Sequence, residues 1–200
     1  YINILEWDDA GRLWIATDGR GLSRYDGTSF TNWQPENSGL RDGAIRGMVV
    51  TDERIYAGTY ASAGDGGVNI LDLKTETWSN LWPGETELSG GGVGGMAVDA
   101  AGRAYFPTAA GVLDIWDGTT WSHIPMPGSE GTLPSTSEGF VDSRGHYWVG
   151  SGADLLEYSG VGWTIYPLGA AISSLALGED GRLWVGSDNG LYVRDVDETW

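Results

Sequence analysis

Cysteine is absent from the chain, which excludes disulfides, iron–sulfur clusters and thiol chemistry. Positive charge is scarce: 11 Lys and Arg stand against 28 Asp and Glu, for a formal net charge of -17. A surface that acidic repels phosphate backbones and anionic lipid, so neither nucleic acid nor a membrane surface suits it as a partner. No apolar run is long enough for a transmembrane helix, and no signal-peptide pattern opens the chain. The chain begins at Tyr1 rather than Met, as a mature or excised piece would. Histidine is limited to His123 and His146, and neither has a His or Cys partner at ligand spacing. No metal site and no cofactor are therefore expected.

What is plentiful is glycine, at 33, and tryptophan, at 11 of 200 residues. Many glycines with many aromatics suit short strands and tight turns rather than helices. The stretch Gly181 to Leu191, GRLWVGSDNGL, shows how they are used. Apolar and aromatic residues alternate to a hydroxyl at Ser187, a polar glycine loop follows, and an apolar restart comes at Leu191. That pattern reads as strand, loop, strand. It recurs at Gly11 to Leu22 and at Gly145 to Leu155, with degenerate copies at Arg54 to Val68 and Gly102 to Val112. The aligned residues Arg12, Arg54, Arg103, His146 and Arg182 recur at intervals of about 40–50 residues, the period of a β-propeller with four strands per blade. The expected fold is all-β: one five-bladed propeller domain over 1–200, with repeats near 1–44, 45–92, 93–135, 136–171 and 172–200.

Each repeat offers an inner strand that should be buried on both faces, as in Met48-Val49-Val50, Met96-Ala97-Val98 and Leu175-Ala176-Leu177. Glu6 breaks that rule. A carboxylate there must face the channel, pair with a cation or carry a raised pKa. The last repeat ends at Trp200, which aligns with Phe30, Trp78, Trp121 and Trp163 at the starts of outer strands. The fifth blade is thus expected to have three strands, with the ring closed by packing of the first blade on the fifth. Its exposed edge offers a route to self-association. Trp14, Trp148 and Trp184 occupy one repeat position and are expected in the core.

Turns from the inner to the second strand are short and alike, as in Asp8-Asp9-Ala10-Gly11 and Asp142-Ser143-Arg144-Gly145. Turns from the third to the outer strand, such as Asp26-Gly27-Thr28-Ser29, are also short. Their Asp caps the turn and their Gly takes the positive φ. The loops on the other face are long and irregular: Tyr60 to Gly67, Gln34 to Ala44, Pro83 to Gly92 and Pro125 to Thr136. Uniform turns on one face and ragged loops on the other put function on the ragged face. The candidate ligand contacts there are Asp18, Arg20, Tyr60, Asp65, Asp154, Asp188 and Asn189, with Glu6 deeper in the channel. A ring of hydroxyls at Thr17, Thr59, Thr108, Ser151 and Ser187 stands at the inner rim; it serves either to fasten blade corners or to meet a ligand. Arg20 and Arg41 are the positive charges placed near the mouth. Carboxylates on this face also include Glu36, Glu85, Glu87 and Glu130, and two at a suitable gap would make an acid–base pair.

No nucleophile elbow, phosphate-binding loop or zinc-protease motif occurs, and Gly90 to Gly95 opens no helix. The order D-x-x-G-R-L-W-V/I-G/A-T/S, a D-G-x-G-L loop, then R-Y-D-G-x-x-F/W resembles the two-component regulator propeller repeat. Gly11 to Phe30 is the nearest copy and Asp180 to Val193 the next. The resemblance implies an extracytoplasmic bacterial sensor or binding domain, often part of a larger protein, and no shared catalytic residues. Such propellers usually have more blades, which leaves a compact ring or a fragment. Three readings of function stand at this point: a binding module for a small molecule, glycan or protein on the loop face; a polysaccharide hydrolase or lyase using rim carboxylates; and a structural unit or engineered fragment without a ligand.

Overall fold

A computed structural model describes residues 1–60, 66–128, 138–178, 180–195 and 199–200. It is a five-bladed β-propeller of small antiparallel sheets, without helices among the described residues. Blade 1 comprises β1 (Ile2–Trp7), β2 (Leu13–Thr17), β3 (Leu22–Tyr25) and β4 (Phe30–Trp33). Blade 2 comprises β5 (Ile45–Val50), β6 (Arg54–Thr59), β7 (Val68–Asp72) and β8 (Trp78–Leu81). Blade 3 comprises β9 (Ala97–Val98), β10 (Ala104–Thr108), β11 (Val112–Trp116) and β12 (Trp121–Pro125). Blade 4 comprises β13 (Phe140–Val141), β14 (Tyr147–Ser151), β15 (Asp154–Tyr158) and β16 (Trp163–Pro167). Blade 5 has three strands: β17 (Ile172–Leu177), β18 (Leu183–Ser187) and β19 (Gly190–Arg194). Each sheet pairs its strands in chain order, as up-and-down hairpins must. The three strands described for blade 5 agree with the sequence reading. No helix among the described residues is long and apolar enough to cross a membrane.

The short turns form as their composition requires. Gly11, Gly102, Gly145 and Gly181 take φ of 74°, 80°, 80° and 81°, a region open to glycine at no steric cost. The Asp that opens the turn does more than cap it. In blade 1, Asp8 accepts from the Arg12 amide at 2.9 Å, from Arg12 Nε at 2.6 Å and from Trp14 Nε1 at 2.8 Å. Blade 3 repeats this with Asp99, Arg103 and Tyr105. One carboxylate thus joins the turn, the strand-start arginine and the central aromatic. These bonds favour the ionised form and hold Asp8 below its ordinary range despite its partial burial. Asp26 and Asp117 are depressed well below theirs, because each accepts two backbone N–H and two hydroxyl hydrogen bonds within its own turn.

Packing between blades makes the core. Four apolar clusters join neighbouring blades: the first to the second, the second to the third, the third to the fourth, and the fourth to the fifth. Every junction uses the same positions. The aromatic of the second strand (Trp14, Tyr56, Tyr105, Trp148) and an apolar residue near the start of the third (Leu22, Val68, Leu113, Leu155) face the following blade and are buried. The following blade answers with its inner strand, as Ile45 and Met48 do against blade 1, and Ile172 and Leu175 against blade 4.

The expected packing of the first blade on the fifth is not found among the described residues. Leu191 stands at the position of Leu22 and Leu155, yet it is 63% exposed where those two are 0%. Trp184, at the position of Trp14, is only half-buried, so the expectation of a core Trp184 is corrected. On the other end face, Ile2, Leu5 and Trp7 of β1 are 62%, 57% and 65% exposed. The inner strands of the first and fifth blades are therefore buried on one face rather than two. The reason is geometric: a blade's apolar face is covered only where another blade stands against it.

The repeat position shared by Leu22 and Leu191 gives a test. Leu22→Ala should lower unfolding free energy by about 3 kcal/mol through lost burial and a residual cavity. Leu191→Ala in dilute solution should cost under about 0.5 kcal/mol, as surface substitutions do. Urea denaturation of the two variants measures both; equal losses would show that the face of Leu191 is covered.

Candidate functional site

The irregular loops gather on one face, laced by backbone hydrogen bonds. The amides of Gly19 and Gly21 donate to Gly43 O at 2.9 and 3.0 Å, and the Tyr60 amide to Ala44 O at 3.3 Å. The Ala109 amide donates to Gly92 O at 2.9 Å, and the Asp188 amide to Ala171 O at 3.0 Å. Each second-to-third loop is thus tied to the blade-to-blade connection beside it. Two of those connections are also fastened from below. Asn69 Oδ1 on β7 accepts from the Arg41 amide at 2.8 Å. Asp114 occupies the same place on β11, fully buried, and accepts from the Ser89 amide at 2.6 Å and from Ser89 Oγ at 2.7 Å. Buried polar side chains need such partners, and here the partner is the loop itself.

The hydroxyl ring sits at the blade corners. Thr17 Oγ1 donates to Gly21 O at 2.8 Å and accepts from the Arg20 amide at 3.0 Å. Thr59 bonds both the carbonyl and the amide of Gly67, Thr108 donates to Val112 O, and Ser187 donates to Gly190 O while accepting from the Asn189 amide. Thr59 and Thr108 are fully buried, whereas Ser151 is half-buried at the end of β14. Among the other candidates, Arg20, Asp188 and Asn189 are exposed on the loop face. Asp154 is half-buried at the head of β15, across from Ser151. Tyr60 is 38% exposed, with its ring against Gly92, where a Cβ would collide with it and the backbone takes a φ of 72°. That contact gives the glycine run its role: it lets the chain pass close under Tyr60. Asp65 and Glu130 lie outside the described residues.

Charge on this face is more paired than the sequence suggested. Asp18 meets Arg46 Nη2 at 3.1 Å, so Arg46 joins Arg20 and Arg41 as a positive charge at this end. Its place at the second residue of an inner strand gave no sign of that. Arg41 grips Glu85 with two bonds of 2.7 and 2.6 Å and lies 4.6 Å from the centre of the Trp82 ring. The arginine holds Glu85 below its ordinary range, so this rim carboxylate stays ionised and is a poor proton donor.

Among the described residues, one cluster combines Ser, His and Asp and another combines His with two carboxylates. Ser89, Asp114 and His123 converge, but Ser89 Oγ at 3.1 Å and Asp114 Oδ1 at 2.7 Å meet the same histidine nitrogen, Nδ1. In a nucleophile relay the serine and the carboxylate take opposite nitrogens; here Nε2 faces Glu87 at 3.8 Å. On the uniform-turn face, Asp142, His146 and Glu157 place donor atoms within 4.8 Å of one another. The carboxylates are already engaged: Arg144 Nη2 bonds Asp142 at 2.8 Å and Glu157 at 2.9 Å, Tyr166 donates to Glu157 at 2.6 Å, and Trp148 donates to Asp142 at 3.0 Å. Arg144 is the cation of this cluster. Where blades 1 and 3 put an arginine at the strand start, blade 4 has His146, which turns to Glu157 at 2.6 Å and leaves Asp142 to Arg144. Grooves of about 430, 540 and 470 Å³ open beside these turns between neighbouring blades, a feature the repeat pattern did not reveal.

Glu6 answers the expectation for a carboxylate on an inner strand. It is half-buried, and the Val50 amide donates to it at 3.4 Å. Burial lifts its pKa from 4.5 to about 7, against the lowering effect of that hydrogen bond; the charge of Glu138 adds to the rise. Glu138, which sequence reasoning missed, is itself raised by burial. Glu6 lies on the inner strand β1 and Glu138 two residues before β13, near enough for their charges to interact.

No curated protein matches the sequence. Residues 167–189, from the end of β16 through β18, match the two component regulator propeller family. The whole chain is similar to the extracellular domain of a protein described as a hybrid two component system from B. thetaiotaomicron, at 22% identity and a TM-score of 0.79. That likeness covers 98% of this chain and 27% of that one, so the chain spans about a quarter of its relative's length. A structure of YCF48 bound to D1 peptide is similar at 16% identity and a TM-score of 0.67, covering 98% of this chain and 63% of that one. A structure described as a gluconolactonase is similar at 12% identity and a TM-score of 0.68, covering 96% and 73%. At these identities the likeness is one of fold, and the fold alone carries several functions.

The pH dependence of Glu6 follows from the sign of its shift. The folded chain binds a proton that the unfolded chain releases between pH 4.5 and about 7, so stability falls as pH rises through that window. Glu6→Gln should remove this slope. It should match the parent near pH 4.5 and exceed it by about 1–2 kcal/mol at pH 7.5. Denaturant titrations at several pH values read the slope directly; an unchanged slope in Glu6→Gln would assign it to other groups.

Proposed function

We propose that the chain is a non-catalytic binding propeller, the receiving part of an extracytoplasmic bacterial sensor, and that it takes a small molecule, glycan or protein segment on its loop face. The observation that carries this reading is the contrast between the two faces. On the uniform-turn face the aspartates Asp8, Asp99, Asp142, Asp26 and Asp117 bond their own turns and neighbours. On the loop face Arg20, Tyr60, Asp188 and Asn189 remain exposed on loops held in place by backbone hydrogen bonds. Exposed polar and aromatic side chains on a rigid frame are what a binding surface needs. The two component regulator propeller match, and the extracellular domain among the similar structures, support the sensor setting and the location outside the cytoplasm.

The formal net charge of -17 favours ligands with positive groups and steers them at low salt. The peptide complex of YCF48 supports a peptide as one ligand class on this fold. Asp18 and Asp154 at the rim, Asp188 beside Asn189, and Glu6 along the inner strands would meet such groups in turn. The polysaccharide-cleaving reading gains nothing from Glu85, whose pairing with Arg41 keeps it ionised.

Screening basic peptides and oligosaccharides by thermal shift, followed by calorimetry of any hit, tests the reading. Arg20→Ala with Tyr60→Ala and Asp188→Ala should weaken a true loop-face ligand by at least about tenfold while leaving the fold intact. Unchanged binding in that triple variant would remove the site. Turnover of a bound glycan would contradict the non-catalytic reading.

A further inference from the structure

In each blade with an outer strand, one cross-strand pair follows the buried leucine or valine of the third strand. It is Ser23 with Asn32 in blade 1, Asn69 with Asn80 in blade 2 and Leu156 with Ile165 in blade 4. None of these changes charge with pH. Blade 3 sets Asp114 opposite His123 at that place, the one ionisable pair of the series. The place matters because it anchors a blade-to-blade connection: Asn69 takes the Arg41 amide, and Asp114 takes the Ser89 amide.

We infer that His123 is a proton-operated latch on the 83–92 connection, closed when the ring is charged and released when it is neutral. Asp114 is fully buried and accepts from the amide and the hydroxyl of Ser89, so it also accepts from Nδ1 of His123 at 2.7 Å in either state of the ring. Proton exchange is left to Nε2, which faces Glu87 Oε2 at 3.8 Å. The neutral ring turns a lone pair toward that carboxylate, and the imidazolium turns an N–H toward it. One proton therefore changes the sign of the contact. The histidine is fixed by strand pairing with β11 and lies parallel to the Trp121 ring, so the partner free to move is the connection that carries Glu87. Asp114 from β11 and Glu87 from the connection are the charged groups that meet the ring among the described residues, and Glu85 on the same connection is taken by Arg41. Gly92 ends the connection beneath Tyr60, so the latch governs the support of that ring. The inference stands apart from the loop-face ligand, since it needs none.

Hydrogen exchange at the two equivalent amides tests the latch, with Arg41 as the internal control. Corrected for intrinsic exchange, protection of the Ser89 amide relative to that of Arg41 should be about three- to fivefold greater at about pH 5 than at about pH 8, the scale of a solvent-accessible ion pair. Titration of Glu6 acts on global stability and moves both amides together, so the ratio isolates the latch. In His123→Asn, which copies Asn80 of blade 2, the ratio should not vary with pH. In Glu87→Gln, a change at an exposed side chain, most of the variation should vanish. Nitrogen NMR of the His123 ring in the parent should show Nδ1 protonated throughout and Nε2 alone titrating. A constant ratio in the parent would overturn the inference. So would variation that persists in His123→Asn or stays undiminished in Glu87→Gln, or a ring that gives up its Nδ1 proton.

Discussion

The structure depends on one constraint: a blade cannot bury its own apolar face. A sheet of four short strands leaves the aromatic of its second strand and the leucine or valine of its third without cover. Trp14 with Leu22, Tyr56 with Val68, Tyr105 with Leu113 and Trp148 with Leu155 are buried because the next blade supplies apolar side chains against them. Stability is then a sum over junctions, as in other repeat proteins. Four junctions hold five blades, and the two outermost faces carry the same residues in a different environment.

Polar groups do a separate task. They hold the short turns and fasten the long loops, and they do so with the repeat's own aspartates and hydroxyls. Where a repeat departs from the pattern, the network adjusts: His146 replaces an arginine, Arg144 takes over the pairing with Asp142, and Glu157 accepts from both. The same economy explains why triad-like and metal-like groupings occur here without their chemistry. Ser89 and Asp114 share one nitrogen of His123 and anchor a loop there, and the carboxylates of Asp142 and Glu157 both bond the Arg144 guanidinium.

Much of this was legible in the sequence. The alternation in GRLWVGSDNGL set β18 and β19, the Asp and Gly of the short turns announced their geometry, and Glu6 stood out as a charge on an apolar strand. What was not legible depends on neighbours across space. Trp184 and Leu191 are spelled like Trp14 and Leu22, so no pattern along the chain distinguishes a covered face from an open one. The partners of Asp18 and Asp114 were hidden for the same reason: Arg46 and Ser89 lie in other segments, and repeat alignment compares like positions rather than facing ones. The hydroxyl ring was seen as a ring, yet whether its members turn toward a corner or a ligand is settled by loop geometry that residue types do not encode.

The central claim is that cover from a neighbouring blade sets the stability of each sheet. Native-state hydrogen exchange in dilute solution measures it strand by strand, since amide protection reports local opening. The account predicts that β6, β10 and β14, in blades covered on both sides, exchange slowest, and that β18 and β19 exchange faster by orders of magnitude. Protection of β18 and β19 equal to that of β6 and β7 would contradict it.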